Sequence, residues 1–267
     1  MTSEPLRVTV FGLGEAGSPI AADLARAGAD VHGYDPAEVP TPEGVARHHE
    51  PGPSVKGSRL VMAVTAASDA QRAIAQAWGE MRRGTVYADL STAPPAFKED
   101  LADTASLRGL DFVDVALMGT VPGNGLATPS LASGPGAVAY ADIVNGMGGR
   151  VDVLSDRPGD AAARKLLRSV ATKGLTAVLM ESLEAAAAHG DTEWMWAHLV
   201  EFVTEADEGL MQRLIEGTPR HIDRRIVEME SARGFLESLD VDPTMTRSTI
   251  ETLRRVKENE ATGTPNS

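Results

Sequence analysis

Three glycines near the N-terminus have the Gly-X-Gly-X-X-Gly spacing, at Gly12, Gly14 and Gly17. They follow an apolar run, Leu6–Phe11, and precede a segment whose apolar residues recur at helical spacing. In such a unit the first glycine permits a tight turn, the second lets a pyrophosphate approach the backbone, and the third lets the helix lie close to the strand. The predicted dinucleotide-binding residues of this turn are Gly12, Leu13, Gly14, Glu15, Ala16 and Gly17. The alternative is a glycine-rich turn that binds nothing.

One acidic residue, Asp35, closes the next predicted strand, Ala29–Tyr34. A carboxylate at this place accepts hydrogen bonds from a ribose diol. It would also repel the 2′-phosphate of NADP, and no Arg or Lys immediately follows it. The sequence therefore favours NAD over NADP as the cofactor. Arg47, His48 and His49 are the residues that could overturn this preference if their loop folds back.

Hydroxyl side chains follow two further predicted strands. Thr65 ends the apolar run Arg59–Thr65, and Ser91 and Thr92 follow Gly84–Asp89. Ligands of open α/β sheets lie beyond the carboxyl ends of the strands, so these residues are predicted to lie near the nicotinamide half of the cofactor. The alternative is that they only cap the next helix.

A lysine-bearing polar stripe runs along one long predicted helix, Asp160–Ala188. At 100° per residue the stripe consists of Lys165, Ser169, Thr172 and Thr176, with Lys173 at its edge. A lysine beside a nicotinamide could donate a proton to a carbonyl oxygen, or polarise that oxygen, as hydride reaches the carbon. The alternative is an ordinary solvated helix face.

The elements that must position these residues alternate between strand and helix up to about residue 156, which predicts a parallel, doubly wound sheet of the Rossmann type. Beyond Asp156–Gly159 the composition becomes helical. The sequence thus predicts an α/β fold followed by an all-α C-terminal domain, with helices over residues 160–188, 194–216, 219–238 and 243–258. The predicted domains are a dinucleotide-binding domain over residues 1–157, a helical substrate and dimerisation domain over 158–258, and a flexible tail over 259–267.

Composition limits the class of protein. The chain of 267 residues has a formal net charge of −13, which argues against binding to nucleic acid or to an anionic membrane. It contains no cysteine, so disulfides, thiolate metal sites and cysteine nucleophiles are excluded. No convincing spacing for a metal site is present, and no apolar run is long enough for a membrane span. A cytoplasmic enzyme with a small-molecule substrate is expected.

Four segments resemble the β-hydroxyacid dehydrogenase family of the 6-phosphogluconate dehydrogenase-like superfamily. GLGEAGSPIAADLARAG is similar to its cofactor signature, and GTVYADLST is similar to its GxxxxDxST segment. DVALMGT lies where the family has its substrate loop, and GDAAARKLLRS resembles its catalytic-lysine motif, with Lys165 as the lysine. The C-terminal part resembles a branch with a domain of unknown function. The resemblance implies a homodimer formed through the C-terminal helices.

Two positions depart from the family pattern. Met118 precedes Gly119 where the family usually has serine, and Ser169 stands where it usually has asparagine. Since those family residues help to hold the substrate carboxylate, Lys173, Thr120 and Asn124 are candidates to replace them. Lys173 is the favoured one, because a cation on the same stripe can hold an anionic group. The resemblance implies that Lys165 is catalytic and that Gly119 lies in the substrate loop. With the candidates from the polar stripe and from this loop added, the predicted catalytic residues are Lys165, Ser169 and Lys173, and the predicted substrate-binding residues are Met118, Gly119, Thr120 and Asn124.

The leading hypothesis is an NAD(P)-dependent oxidoreductase that interconverts a hydroxyl and a carbonyl on a small, anionic, β-hydroxyacid-like substrate, with Lys165 as proton donor or acceptor. An imine reductase on the same scaffold is one alternative, although that related group generally lacks the lysine. A non-catalytic dinucleotide-binding sensor or subunit is the other.

Overall fold

An eight-stranded sheet forms the N-terminal part of the chain. The structure, a computed structural model, describes residues 4–66, 75 and 77–262. The strands are β1 (Arg7–Phe11), β2 (Asp30–Tyr34), β3 (Val45–His48), β4 (Leu60–Ala63), β5 (Val86–Asp89), β6 (Asp111–Leu117), β7 (Ser130–Ser133) and β8 (Val151–Ser155). Their order is β3-β2-β1-β4-β5-β6-β7-β8, and the first six are parallel. β7 is antiparallel to β6, and β8 is parallel to β7. The predicted Rossmann-type α/β fold is confirmed.

Helices accompany this sheet along the chain. They are α1 (Gly17–Arg26), α2 (Pro51–Val55), α3 (Pro95–Leu107), α4 (Ala137–Gly146) and the long α5 (Asp160–His189). After the strand segment Arg59–Thr65 the sequence also predicts a helix over Ala66–Met81. That helix lies mostly outside the described residues, and its described end contains a 3₁₀ turn, Trp78–Glu80. The sheet is buried on both faces, because alternate residues of β4 join two different apolar clusters: Leu60 and Met62 join one, Val61 and Ala63 the other.

Three elements of this part are absent from the sequence-based prediction. β3 is a short edge strand, paired with β2, and its sequence VARH lacks a clear apolar pattern. α2 and α3 both begin with proline, at Pro51 and Pro95. As helix-breaking residues, Pro94 and Pro95 would predict the absence of a helix here, and that prediction is wrong: proline is well tolerated in the first turn, where its missing N–H would have no helical partner.

The C-terminal part is helical. It contains α6 (Thr192–Thr204), α7 (Glu208–Arg220), α8 (Ile222–Ser238) and α9 (Thr244–Thr262). The single helix predicted over 194–216 is wrong: Asp207 starts a new helix, and its side chain accepts a hydrogen bond from the backbone N–H of Leu210 at 2.7 Å. α9 runs past the predicted end at residue 258, so Asn259–Thr262 is helix rather than tail, and residues 263–267 lie outside the described part.

The chain divides within α5 into two compact units, Met1–Arg168 and Ser169–Ser267. The predicted boundary at residues 157 and 158 lies just before α5. The first turns of α5 belong with the sheet because two sheet side chains, Asp114 and Ser133, bind their backbone N–H groups.

Candidate functional site

The glycine turn between β1 and α1 has the geometry that its spacing predicts. Gly12 has a φ of +85°, and a Cβ on it would overlap the carbonyl oxygen of Val64. A Cβ on Gly17 would overlap the carbonyl oxygen of Gly12, so helix and turn touch at this point. A Cβ on Gly14 would meet no atom within 4 Å. The first and third glycines are thus required by packing, and the second leaves open space in front of the turn.

The N-terminus of α1 suits an anion. Ala16 is the residue before its first helical position and offers no side-chain cap. The first N–H groups of a helix need acceptors, and the helix dipole favours a negative charge there. A pyrophosphate would supply acceptors at the place where Gly14 leaves room, so the residues present fit a dinucleotide.

Asp35 is fixed by two backbone N–H groups. Its Oδ2 accepts a hydrogen bond from Leu13 at 2.7 Å, and its Oδ1 accepts one from Ala37 at 2.9 Å. Arg47 folds back onto the same loop and donates to the carbonyl oxygens of Asp35 at 3.0 Å, Ala37 at 2.7 Å and Val39 at 2.9 Å. The guanidinium is therefore engaged by the main chain next to the acid.

The two histidines that follow Arg47 differ in environment. His48 is paired with His32 of β2, their Nε2 and Nδ1 atoms 2.6 Å apart. Burial, followed by the charge of His32, lowers the pKa of His48 below its ordinary value of 6.5. His49 is exposed.

Thr65 lies beside the glycine turn. Its Cγ2 is 3.1 Å from the place where a Cβ of Gly12 would stand. Its hydroxyl oxygen is buried and has no hydrogen-bond partner among the residues that the structure describes. The cofactor-binding residues predicted from β1, β2 and β4 thus come together at the carboxyl edge of the sheet.

Lys165 and Thr92 meet at the carboxyl edge of β5. The Nζ atom of Lys165 donates a hydrogen bond to Oγ1 of Thr92 at 3.1 Å. A small cleft at this point is lined by both residues together with Ser91 and Asp114. The predicted catalytic lysine and two predicted cofactor residues therefore share one site.

A buried ionic cluster, which was not predicted from the sequence, adjoins this cleft and shares Asp114 with it. Lys98, on α3, is 0% exposed. Its Nζ is 2.6 Å from Oδ1 and 3.0 Å from the carbonyl oxygen of Asp89, and 3.2 Å from Oδ1 of Asp114. Asp89 and Asp114 are paired in register on β5 and β6. Acidic residues within two neighbouring apolar strand segments were the available signal, but Lys98 lies on a helix that the prediction lacked.

Each carboxylate of this cluster also holds a part of the site. Oδ1 of Asp89 accepts hydrogen bonds from the backbone N–H of Ser91 at 2.9 Å and from its hydroxyl at 2.5 Å. Oδ2 of Asp114 accepts one from the backbone N–H of Ala162 in α5 at 2.8 Å.

Burial, followed by the nearby Asp89 carboxylate, raises the pKa of Tyr87 well above its ordinary value, so its hydroxyl stays protonated.

The loop after β6 carries the predicted substrate-binding residues. The N–H of Met118 donates to the carbonyl oxygen of Pro129 at 2.8 Å, and the side-chain amide of Asn124 donates to the carbonyl oxygen of Thr120 at 2.9 Å. Gly119, Thr120 and Asn124 are exposed. The loop is tied to the glycine-turn helix, since the N–H of Leu126 donates to Oδ2 of Asp23 in α1 at 2.8 Å.

The polar stripe of α5 is not its most exposed face. Lys165, Ser169 and Thr172 are half-buried, whereas Leu167 and Val170 are 71% and 75% exposed. Lys173 and Thr176 are exposed. Ser169 and Lys173 follow Lys165 at intervals of four residues along the helix, which places the three side chains on the same side.

The described part of the chain contains neither a metal site nor a membrane-spanning helix. Residues 4–66, 75 and 77–262 contain no group of three or more acidic or histidine side chains arranged to hold a metal ion. Within the same residues no helix has the length and apolar character needed to cross a membrane.

Two family models match the chain. The model described as the NAD binding domain of 6-phosphogluconate dehydrogenase matches residues 7–151, and Domain of unknown function (DUF1932) matches residues 186–256. A 28.5 kDa protein from the 7S RNA 5′ region of Methanothermus fervidus is 26% identical over 207 residues, which are 76% of this chain and 78% of that protein. An L-threonate dehydrogenase from Cupriavidus necator is 29% identical over 180 residues, and the match spans 61% of this chain and 59% of that enzyme.

The fold is also similar to that of solved enzymes. An imine reductase from Myxococcus stipitatus, as the V8 variant in complex with NAD⁺, has a TM-score of 0.80 at 19% identity, covering 95% of this chain and 94% of that one. The same organism's imine reductase in complex with NADP⁺ has a TM-score of 0.80 at 18% identity, covering 94% of each chain. At this level of identity the similarity concerns the fold alone.

Proposed function

Because the chain belongs to the family of the NAD binding domain of 6-phosphogluconate dehydrogenase, an NAD(P)-binding oxidoreductase family, we propose that it interconverts a hydroxyl and a carbonyl group with Lys165 as the proton donor and acceptor. The observation that carries this proposal is the 3.1 Å hydrogen bond from Lys165 to Thr92 at the carboxyl edge of the sheet. This is the edge at which the glycine turn offers a dinucleotide site.

The chemistry divides between the cofactor and the protein. When bound, the nicotinamide cofactor supplies or accepts the hydride. In the reductive direction the Lys165 ammonium donates a proton to the substrate oxygen as that oxygen gains negative charge. In the oxidative direction the neutral amine of Lys165 accepts the hydroxyl proton. Thr92 holds the Nζ atom in place, and Ser169, one turn further along α5, is a hydrogen-bonding partner for the substrate.

We propose a small anionic hydroxy acid as the substrate. Lys173 stands two turns beyond Lys165 on the same side of α5 and supplies a second cation that could bind a carboxylate. The exposed loop residues Gly119, Thr120 and Asn124 are proposed to contact the rest of the substrate. L-Threonate is the first compound to test, because a relative at 29% identity is an L-threonate dehydrogenase.

NAD is the proposed cofactor. The Asp35 carboxylate, held by the N–H groups of Leu13 and Ala37, supports this preference because it would repel a 2′-phosphate. Arg47 opposes it as a cation in the same loop, but three main-chain carbonyl oxygens already accept its hydrogen bonds.

A second copy of this chain is the proposed partner. The C-terminal unit exposes many large apolar side chains, and neither α6 nor α7 has a buried residue. Trp196 and Ile215 are 61% and 65% exposed. Large apolar side chains left exposed in this number favour an interaction site. Because the chain resembles a family that dimerises through its C-terminal helices, we propose that a second copy of this chain covers these side chains.

The test is a comparison of the wild type with Lys165→Met. Purified protein is screened with NAD⁺ and NADP⁺ against L-threonate and other hydroxy acids, and with NADH and NADPH against carbonyl compounds and imines. We expect oxidation of a hydroxy acid, a loss of about 10²–10⁴-fold in kcat for the variant, and unchanged cofactor affinity. Full turnover by Lys165→Met would exclude the proton-transfer role. Turnover of imines alone would identify an imine reductase, and cofactor binding without any turnover would favour a sensor.

A further inference from the structure

Lys98 lies in a fully buried position that ordinarily excludes lysine. Its side chain is 0% exposed, and the two carboxylates it contacts are 0% and 1% exposed. A buried ammonium is tolerated only where anions and acceptors surround it. Lys98 meets this condition with three oxygens within 3.2 Å: the carbonyl and Oδ1 of Asp89 and Oδ1 of Asp114.

The two carboxylates lead to two different parts of the site. Asp89 binds the N–H and hydroxyl of Ser91, and the next residue is Thr92. Asp114 binds the N–H of Ala162 in the first turn of α5, and Lys165 follows within one turn. The Lys98 ammonium bridges these two carboxylates.

We infer that Lys98 is a positioning residue, which sets the Thr92–Lys165 contact by joining the Ser91–Thr92 turn to the start of α5. The inference rests on the proposed role of Lys165 for its functional meaning. The contacts themselves involve neither cofactor nor substrate, because each of them joins two residues of the unit Met1–Arg168.

The alternative is that Lys98 only neutralises two buried acids. In that case its loss would lower stability, and Lys165 would keep its environment in whatever protein remains folded. The two roles therefore differ in what happens to the Lys165 side chain, and a stability measurement alone does not separate them.

The experiment follows the side-chain Cε resonances of lysine by NMR in protein labelled with ¹³C-lysine, without any ligand. Thr92→Val keeps the side-chain shape and removes the acceptor. The Lys165 resonance of this variant is therefore the reference for a lost Lys165–Thr92 contact. Lys165→Met assigns that resonance in the wild type. The test variant is Lys98→Met, and the control is Leu101→Ala. Leu101 is a 2% exposed apolar residue of the same helix, so its loss destabilises α3 without removing a charge or a hydrogen bond of the ionic cluster.

We expect the Lys165 resonance of Lys98→Met to move towards its position in Thr92→Val, and that of Leu101→Ala to remain at the wild-type position. An unmoved resonance in Lys98→Met, or an equal movement in Leu101→Ala, would overturn the inference. If Lys98→Met does not fold, Asp89→Asn/Lys98→Met takes its place. That double variant removes one buried negative charge with the positive one and keeps the acceptor for Ser91.

Turnover supplies a second readout once a substrate is found. For the double variant we expect kcat to fall at least tenfold. If the double variant is as stable as the wild type and also has the wild-type kcat, Lys98 is only structural. A wild type without turnover would refute the proposed function, yet the NMR result would still decide the role of Lys98.

Discussion

At the scale of single residues, Asp35 is the proposed determinant of nucleotide preference, and the pair of His32 and His48 bears on how stability responds to acid. Asp35 ends β2 with each carboxylate oxygen bound by a backbone N–H, so its position is fixed before any ribose arrives. Because the acid is pre-positioned, little side-chain entropy is lost when it binds a diol. The charge of this one residue should therefore have a large effect on cofactor choice.

Asp35→Asn is expected to remove the preference for NADH over NADPH. Asparagine keeps an acceptor and the side-chain shape but removes the charge, and a hydrogen bond to a charged group contributes about 1.5–3 kcal/mol. NADH affinity should fall by about tenfold or more, and NADPH affinity should rise. Fluorescence titration of both nucleotides measures this. Glu38→Gln, the same change of charge at an exposed position of the same loop, is the control. If Asp35→Asn still binds NADH more tightly than NADPH, the preference is due to another residue.

The pair of His32 and His48 should make folding stability sensitive to mild acid. The pKa of His48 in the folded state lies below its ordinary value of 6.5, first because of burial and then because of His32. As the pH falls below 6.5, the unfolded chain binds a proton at this position before the folded chain does. Stability therefore falls with decreasing pH from about 6.5 until the folded-state pKa is passed.

We expect urea unfolding between about pH 5 and pH 8 to show this loss in the wild type and a smaller loss in His48→Gln. His49→Gln, at the exposed neighbouring position, should behave like the wild type. An identical pH dependence in wild type and His48→Gln would contradict the argument.

Among the elements, the start of α5 depends on side chains from the sheet. The hydroxyl of Ser133, which is fully buried in β7, accepts a hydrogen bond from the N–H of Ala161 at 3.0 Å. Asp114 does the same for the next residue. Two of the first N–H groups of this helix are thus satisfied by neighbouring strands rather than by a residue of its own N-terminus.

Ser133→Ala is expected to destabilise the protein by about 1–3 kcal/mol, because it leaves a buried N–H without an acceptor. Equilibrium unfolding in urea gives the value. Ser130→Ala is the control on the same strand, since its hydroxyl makes a longer bond of 3.3 Å to the carbonyl oxygen of Arg150. Equal losses in the two variants would show that the helix does not depend on Ser133.

Elements with a local signal were predictable from the sequence. The unit of β1, α1 and β2 has apolar runs of the right period around glycines that permit the turn, and Lys165 lies on a helix whose length is evident from composition. β3 has no such pattern, and the break before Asp207 contains neither glycine nor proline. The Lys98 cluster joins three successive elements, β5, α3 and β6, and its pairing follows from the folded sheet and from a helix that was not predicted.

For the molecule as a whole, the family inferred from short motifs is confirmed by the matched models, which cover residues 7–151 and 186–256. The C-terminal unit differs from the sheet unit in its surface. Its helices α6 and α7 leave large apolar side chains exposed, and a lone chain with this surface would be less soluble.

The protein is expected to have twice the chain mass of 28.1 kDa in solution. Trp196→Glu and Ile215→Glu place a charge on the exposed apolar surface and should shift the population towards monomer. Leu107→Glu is the control, because Leu107 is 85% exposed on α3, in the sheet unit. Size-exclusion chromatography with light scattering measures the mass. A monomeric wild type would refute the proposed partner.

The sharing of α5 between the two units bears on how the chain can be dissected. A fragment that stops at residue 157 would lose the N–H groups that Asp114 and Ser133 bind, and it would lose Lys165 as well. Fragments and chimeras meant to preserve the nucleotide-binding half should therefore extend through Arg168, where the first compact unit ends. For such engineering the useful junction lies inside a helix, and the loop that precedes it is the wrong place to cut.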